Sequence, residues 1–169
     1  MAARIEDYAM IGDCRTAAII CHNGSIDWFC VPRFDSEGVF AALLGTKDNG
    51  RWLIEPAAKK FTSRRRYRGD SLILETIFTT ATGKARVTDF MPPGTRESCI
   101  VRIVEALEGH VDMRTELVMR FDYGVTVPWV SRRDTRTMTA VAGPHLLTFR
   151  TRAEVRGENM VSVADFTVK

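Results

Sequence analysis

Apolar and polar residues alternate most regularly between positions 111 and 121. Every second residue there is apolar or a threonine, and the positions between them include four charged residues: the first set is Val111, Met113, Thr115, Leu117, Met119 and Phe121, and the second is Asp112, Arg114, Glu116 and Arg120. A period of two is typical of a β-strand that buries one face and exposes the other. We therefore predict a strand over 111–121 with its odd-numbered side chains in the core.

Short runs rich in apolar and β-branched residues recur along the chain and are separated by turn residues. Besides 111–121 they cover 17–22, 25–30, 51–55, 72–80, 85–90, 100–107, 129–133, 135–141, 145–151 and 160–168. The runs are not interrupted by a βαβ pattern, a heptad or an internal repeat. This succession predicts an all-β fold, an antiparallel two-sheet β-sandwich that forms a single domain over 1–169.

The first hairpin is predicted from its turn. Asn23-Gly24 is typical of a two-residue type I′ turn, because both central residues of that turn need a positive φ. This register pairs Ile19 with Trp28 and places six apolar residues on one face, which we expect to be the buried one: Ala17, Ile19, Cys21, Ile26, Trp28 and Cys30.

One short helix is predicted near 36–44. Asp35 and Ser36 are good N-cap residues, residues 39–44 form a compact apolar run, and Gly45 is a natural residue to end a helix. We expect this helix to lie across the end of the sandwich.

Composition excludes several classes of protein. The net charge of +3 comes from 24 basic and 21 acidic residues, a balance that argues against a protein built to neutralise phosphates. No apolar run approaches the ~20 residues of a membrane span, and the first residues lack the apolar stretch of a signal peptide, so we expect a cytoplasmic protein without a membrane partner. The four cysteines form no C-x-x-C pair, and only three histidines accompany them. We therefore expect buried, reduced thiols and neither a metal nor another cofactor.

Three tryptophans and one basic run are candidates for binding. Trp28 and Trp52 fit core positions of their strands, whereas Trp129, which follows Pro128, is the better surface candidate for stacking on a sugar. The run 64–68 contains four arginines and a tyrosine and could hold a nucleic acid. A solvated sheet edge whose arginines pair with nearby acids is the more common use of such a run, so nucleic-acid binding is the weaker interpretation.

Glycoside hydrolysis normally needs two carboxylates on either side of the scissile bond. Asp27, Asp35, Glu75 and Asp89 are the candidates. Helix capping explains Asp35, and the polar positions of strands explain Asp27 and Glu75. No pair stands out, and we assign no catalytic residue.

Several segments together resemble the amino-terminal domain of glycoside hydrolase family fifteen, the bacterial glucoamylase-like and trehalase-like enzymes. The similar segments follow one another in the same order and comprise 5–8, 11–18, 24–36, 40–44, 50–52, Tyr67, 74–76, 87–92 and 120–124. The resemblance implies a sandwich of the super-β-sandwich type that precedes a helical (α/α) barrel. In such enzymes the barrel holds two catalytic glutamates and cleaves O-glycosyl bonds with inversion.

The resemblance therefore implies that this chain is a carboxy-terminally incomplete, non-catalytic part of an α-glucosidase, without the catalytic barrel and in contact with the substrate only indirectly. We expect Trp28, Arg33, Phe34 and Asp35 to face the barrel or its substrate funnel. The alternative is local, with Arg33 paired to an acid and Asp35 capping the helix. The last strand, without its partner, is expected to allow self-association. A free-standing carbohydrate-binding or protein-interaction sandwich is the alternative function.

Overall fold

The computed structural model describes residues 3–169, which fold into three antiparallel sheets. The main sheet has eight strands in the order β1-β2-β3-β5-β10-β15-β14, with β4 also paired to β3. A second sheet has the order β6-β7-β8-β9, and a small sheet has the order β11-β12-β13. The predicted all-β antiparallel sandwich is confirmed.

The strands are β1 (Tyr8–Gly12), β2 (Ala17–Cys21), β3 (Ser25–Cys30), β4 (Gly38–Phe40), β5 (Arg51–Pro56), β6 (Thr62–Tyr67), β7 (Leu74–Thr79), β8 (Gly83–Phe90), β9 (Val101–Gly109), β10 (Val111–Val118), β11 (Trp129–Arg132), β12 (Thr137–Ala142), β13 (His145–Arg150), β14 (Arg156–Glu158) and β15 (Val161–Val168). Single turns of 3-10 helix lie at Ile5–Asp7, Ala42–Leu44, Lys47–Asn49 and Asp122–Gly124. The described residues contain no helix long and apolar enough to cross a membrane.

The core lies between the main sheet and the other two. One cluster packs Ile54, Val111 and Met113 of the main sheet against Phe78 and Val87 of the second sheet. A larger cluster joins main-sheet residues to Ala140 and Phe149 of the small sheet. All six odd-numbered residues from 111 to 121 are buried, as the alternation predicts, although the strand ends at Val118 and not at 121.

The first hairpin differs from its prediction near the turn. Ile19 pairs with Trp28 as expected, but Ile20 pairs with Ile26, so Asp27 is an extra residue in a β-bulge. Gly24 has a positive φ of 89° and its amide bonds to the Cys21 carbonyl, whereas Asn23 has no positive φ; the turn is therefore not type I′.

The bulge changes which face of the hairpin is buried. The core residues of the hairpin include Ala18, Ile20, Ile26 and Phe29, and Trp28 lies on the opposite, half-buried face. The predicted buried face is therefore only partly correct: Cys21, Ile26 and Cys30 are buried, whereas Ala17, Ile19 and Trp28 are half-buried. The inserted residue reverses the alternation along β3, so Ile26 and Phe29 share the core face and Trp28 does not.

The predicted helix over 36–44 is also wrong. Residues Gly38–Phe40 form β4, which pairs with β3 and is buried at all three positions, and only Ala42–Leu44 form a single 3-10 turn. Burial of Val39 and Phe40 in the larger core cluster outweighs the local capping signals, because tertiary packing overrides intrinsic helix preference.

A buried ion pair joins the second sheet to the main one. The Arg102 guanidinium donates to Asp89 at 2.8 Å, to the Trp52 carbonyl at 2.7 Å and to the Gly24 carbonyl at 2.7 Å. Both charged side chains are fully buried, with exposed fractions of 0% and 1%. The glycine at 24 lets the hairpin turn lie close to β5, since a Cβ there would collide with the Ile54 carbonyl.

Residues 64–67 of the basic run lie in β6, at one edge of the second sheet, and Arg68 follows the strand. Arg66 and Arg68 both pair with Glu75. The interpretation of this run as a charged edge with acidic partners is confirmed. In the last strand, β14 covers residues 161–163 of β15, and residues 164–168 have no described neighbour on that side. Self-association through this strand stays a prediction. The expectation of four buried thiols is correct for Cys21 and Cys30 and wrong for Cys14 and Cys99, which lie in exposed loops.

Candidate functional site

The predicted contact residues 33–35 form an exposed turn directly after β3. The Arg33 Nε donates to Asp35 Oδ1 at 3.0 Å, and both side chains are largely exposed, as is Phe34. Asp35 caps no helix, because none forms there. The alternative interpretation of this turn was local. Its ion pair between Arg33 and an acid is therefore correct, and its helix cap by Asp35 is wrong.

Trp28 reaches the same end of the molecule through Tyr123. The two rings lie 5.9 Å apart, and the Tyr123 hydroxyl donates to the Ser36 carbonyl at 3.4 Å. Gly38 fits beneath this ring, since a Cβ there would stand 2.9 Å from Tyr123 Cδ1. Tyr123 thus connects β3 with the segment that follows the 33–35 turn.

The small sheet carries an exposed apolar row. Trp129 pairs with Val141, and Val141 pairs with Leu146, so the three side chains stand side by side on one face. Their exposed fractions are 79%, 41% and 60%. We call these three residues the apolar row; Val125 and Val127, also exposed, precede it in the chain.

Only Trp129 of this row could be predicted from the sequence. Val141 and Leu146 end and begin neighbouring strands, and their strands contain apolar residues on both faces. The pairing of β11 with β12 and of β12 with β13 is what aligns the three side chains, and a pattern within one strand does not reveal it.

A polar cavity of about 280 Å³ opens beside the bulge in β3. The Asp27 carboxylate there accepts hydrogen bonds from the Tyr8 hydroxyl at 2.9 Å and from the Ser25 hydroxyl. Burial and the bond to Asp27 raise the pKa of the Tyr8 phenol, and burial raises the pKa of the neighbouring Cys21 thiol. Both groups therefore stay protonated near neutral pH, which makes neither a ready nucleophile.

The structure does not bring the four candidate carboxylates together as an acid and base pair. Glu75 and Asp89 lie on the adjacent strands β7 and β8 but face opposite sides of the second sheet, since Glu75 pairs with Thr88. Hydrogen bonds from Arg68 and then Arg66 hold the pKa of Glu75 below its usual value. A general acid for glycoside hydrolysis needs a raised pKa, so Glu75 is an ion-pair anchor rather than a proton donor.

Within residues 3–169, no group of three or more His, Cys, Asp or Glu side chains is placed to hold a metal ion. Several charged side chains of the second sheet instead pair across its strands, such as Arg86 with Glu105 at 3.0 Å. The charged side chains thus stabilise the sheet, while the apolar row stands exposed at the surface.

The family described as "Trehalase-like, N-terminal" matches residues 1–168. The trehalase of Mycolicibacterium smegmatis is 34% identical over 145 residues, which are 74% of this chain and 22% of that protein. Trehalase 1 of Sulfolobus acidocaldarius is 37% identical over 131 residues, which are 77% of the chain and 22% of that protein. The trehalase of Mycobacterium tuberculosis is 33% identical over 138 residues, which are 70% of this chain and 20% of that protein.

No solved structure matches the chain. The chain spans about a fifth of the length of the trehalases it matches. The resemblance stated from the sequence is confirmed in its trehalase-like branch: this chain belongs to the family of trehalase-like amino-terminal domains.

Proposed function

We propose that this chain is the non-catalytic amino-terminal domain of a trehalase-like glycoside hydrolase. In this proposal it packs on a catalytic helical barrel, which hydrolyses the α-glucosidic bond of trehalose, and it stabilises and orients that barrel. One observation carries the proposal: residues 1–168 match an amino-terminal domain, while the chain covers only about a fifth of each related trehalase.

The apolar row supports a protein partner. Monomeric proteins rarely leave large contiguous apolar patches exposed, and such patches mark contact surfaces. Trp129 is also the kind of residue that contributes most to protein interfaces. Because the other face of the small sheet belongs to the core, the apolar row points away from the sandwich and is available to another domain.

A carbohydrate-binding module is the alternative function. Sugar binding on a β-sandwich needs aromatic rings in a row, but the neighbours of Trp129 in the apolar row are aliphatic. The other two tryptophans are engaged internally, Trp52 with Phe149 and Trp28 with Tyr123. The aliphatic neighbours of Trp129 favour a protein contact.

A cytoplasmic location belongs to the same proposal. Cys14 and Cys99 are exposed free thiols, and such thiols persist in a reducing compartment.

A chimera tests the proposed function. This chain replaces the matching segment of the Mycolicibacterium smegmatis trehalase, and glucose release from trehalose is compared with that of the same trehalase without the segment. We expect the chimera to be active and folded, and the shortened enzyme to lose activity and thermal stability. An active, equally stable shortened enzyme would refute the supporting role.

Variants of the chimera locate the contact. Trp129→Lys combined with Leu146→Lys is expected to lower the amount of active enzyme by about tenfold or more, because charges replace two apolar side chains that the proposed contact would bury. Ile5→Lys, at an exposed apolar residue outside the apolar row, is the matched control and is expected to leave activity unchanged. Equal effects of the two changes would contradict a contact at the apolar row, and retention of the isolated chain in starch or glucan gels would favour the carbohydrate-binding alternative.

A further inference from the structure

The second sheet has two edge strands, β6 and β9, and they differ in how their surroundings are protected. On the side of β6, side chains cover the neighbouring sheet edges. Where β1 and β6 meet, the Tyr67 hydroxyl donates to the Met10 carbonyl at 2.9 Å and accepts from the Met10 amide at 3.0 Å. Arg65 donates to the Ile20 carbonyl at 3.0 Å on the same side. Tyr67 thus occupies backbone groups at the edge of the main sheet, and the arginines of β6 protect the edge of the second.

The opposite side of the second sheet ends at β9, where no described side chain bonds to the outer backbone groups. The pairing with β8 is regular up to Ala106, and a bulge at Leu107 lies near the end of the strand. β9 is nine residues long and pairs only with β8 among the described strands. Ile103 and Leu107 of β9 are 44% and 45% exposed. A long edge strand with unpaired backbone groups and exposed apolar side chains is a template for another strand.

Charges on the outer face of the second sheet alternate in sign from strand to strand. Arg66 of β6 bonds to Glu75 of β7 at 2.9 Å, Arg86 of β8 lies 3.4 Å from the same carboxylate, and Arg86 also pairs with Glu105 of β9 at 3.0 Å. The series ends on a carboxylate that is about half exposed. Opposite charges on neighbouring strands stabilise a sheet, so the next strand in this series would carry a positive charge.

A second pair repeats this arrangement. Lys84 of β8 bonds to Glu108 of β9 at 2.6 Å, and this pair is exposed. The outer face of β9 therefore presents two acids and no base. Pairing of β9 with the β9 of a second copy would oppose like charges, which argues against that occupant.

The path of the chain brings a strand to this edge. Val168 at the end of β15 pairs with Val111, which follows the turn that ends β9 at Gly109. A polypeptide that continues from Val168 begins beside the end of β9. If it runs back along β9, it is antiparallel to it.

We propose that the free edge of β9 docks an extended antiparallel strand from the remainder of the trehalase polypeptide. This strand carries a lysine or arginine opposite Glu105, with apolar residues two positions away on either side, opposite Ile103 and beside Leu107. The identity of its source rests on the proposed function. The recognition itself rests on backbone pairing and on the charge of β9.

A tethered strand tests the recognition. The probe Thr-Val-Thr-Lys-Thr-Val-Thr is appended to Lys169 through a short Gly/Ser linker, which gives it a high local concentration. Amide hydrogen exchange is followed residue by residue by NMR. The outward-pointing amides of β9 are expected to exchange about tenfold more slowly, or slower still, than in the chain without the probe.

A charge swap provides the matched control. A probe with Glu in place of its Lys is expected to protect β9 weakly, and the variant Glu105→Lys is expected to reverse the preference between the two probes. Unchanged β9 amides, equal protection by both probes, or protection of residues 164–168 of β15 instead would overturn the proposal. Protection of β9 in the unextended chain that rises with protein concentration would show a second copy as the occupant and also overturn it.

These results are independent of the trehalase chimera. An inactive chimera together with a probe that protects β9 would refute the supporting role and leave the strand-docking site intact. An active chimera together with an ineffective probe would refute the strand-docking site and leave the supporting role intact.

Discussion

Replacement of Arg102 by methionine removes the charge that joins the second sheet to the main sheet. Methionine keeps much of the aliphatic volume but donates no hydrogen bond, so Asp89 becomes an unpaired buried carboxylate and the carbonyls of Trp52 and Gly24 lose their donor. The contact of the guanidinium with the Trp52 ring, whose centroid lies 5.1 Å away, is lost as well.

The expected cost is large because both charges are fully buried. Breaking a buried pair by removal of one partner costs about 3–5 kcal/mol. For a chain of this size, each kcal/mol lowers the melting temperature by about 2–4 °C, so Arg102→Met is expected to lower it by about 6–20 °C. Urea unfolding followed by far-ultraviolet circular dichroism gives the change in the free energy of unfolding.

Two further variants separate the buried charge from general damage. The double variant Arg102→Met/Asp89→Leu is expected to lose less stability than the sum of its single variants, by about 2 kcal/mol or more, because it leaves no unpaired charge. Arg33→Met breaks the exposed pair with Asp35 and is expected to cost about 0–1 kcal/mol. A cost below about 1 kcal/mol for Arg102→Met, or strict additivity in the double variant, would refute the reasoning.

Three other properties follow from the same contacts. Arginine contacts lower the pKa of Glu75 below its ordinary 4.5, so the stability they contribute is present above pH 4.5 and is lost as pH falls through the lowered pKa; Glu75→Gln is therefore less stable than the parent at pH 7 and approaches it in acid, as pH-dependent urea midpoints would show. Tyr67→Phe removes both bonds to Met10 and is expected to cost about 1–2 kcal/mol, whereas an unchanged melting temperature would show that the closed edge does not depend on this hydroxyl. A thiol reagent is expected to modify two cysteines rapidly in the native protein and the other two only on unfolding, with mass spectrometry assigning the fast pair to Cys14 and Cys99 and the slow pair to Cys21 and Cys30.

Where one periodic pattern determined a strand, the sequence was sufficient to predict its burial. The alternation over 111–121 placed all six odd-numbered side chains correctly, because β10 lies in the middle of the main sheet with one face against the core; only the end of the strand, at Val118, was predicted too late. The family was also recognisable, because similar segments follow one another over most of the chain.

Sequence reasoning failed where a single residue or a distant contact decides the structure. The bulge at Asp27 reverses the faces of β3, and nothing in the local pattern of residues 25–30 signals it. Gly38–Phe40 form a strand because they pair with β3. Local capping signals carry no information about such a distant partner.

The apolar row could be found only from the pairing of the strands. Trp129 was a surface candidate, but Val141 and Leu146 join it only through the order of the small sheet. The predicted turn at 33–35 lies at the surface, yet its two charged residues satisfy each other.

Glucose release from trehalose is the most direct test of the central claim. It should be measured side by side for the purified chain, for the Mycolicibacterium smegmatis trehalase without its matching segment, and for the chimera. We predict that the chain alone releases no glucose and that its insertion restores activity to the shortened enzyme. Turnover by the chain alone, or a shortened enzyme that gains nothing from the insertion, would contradict the account.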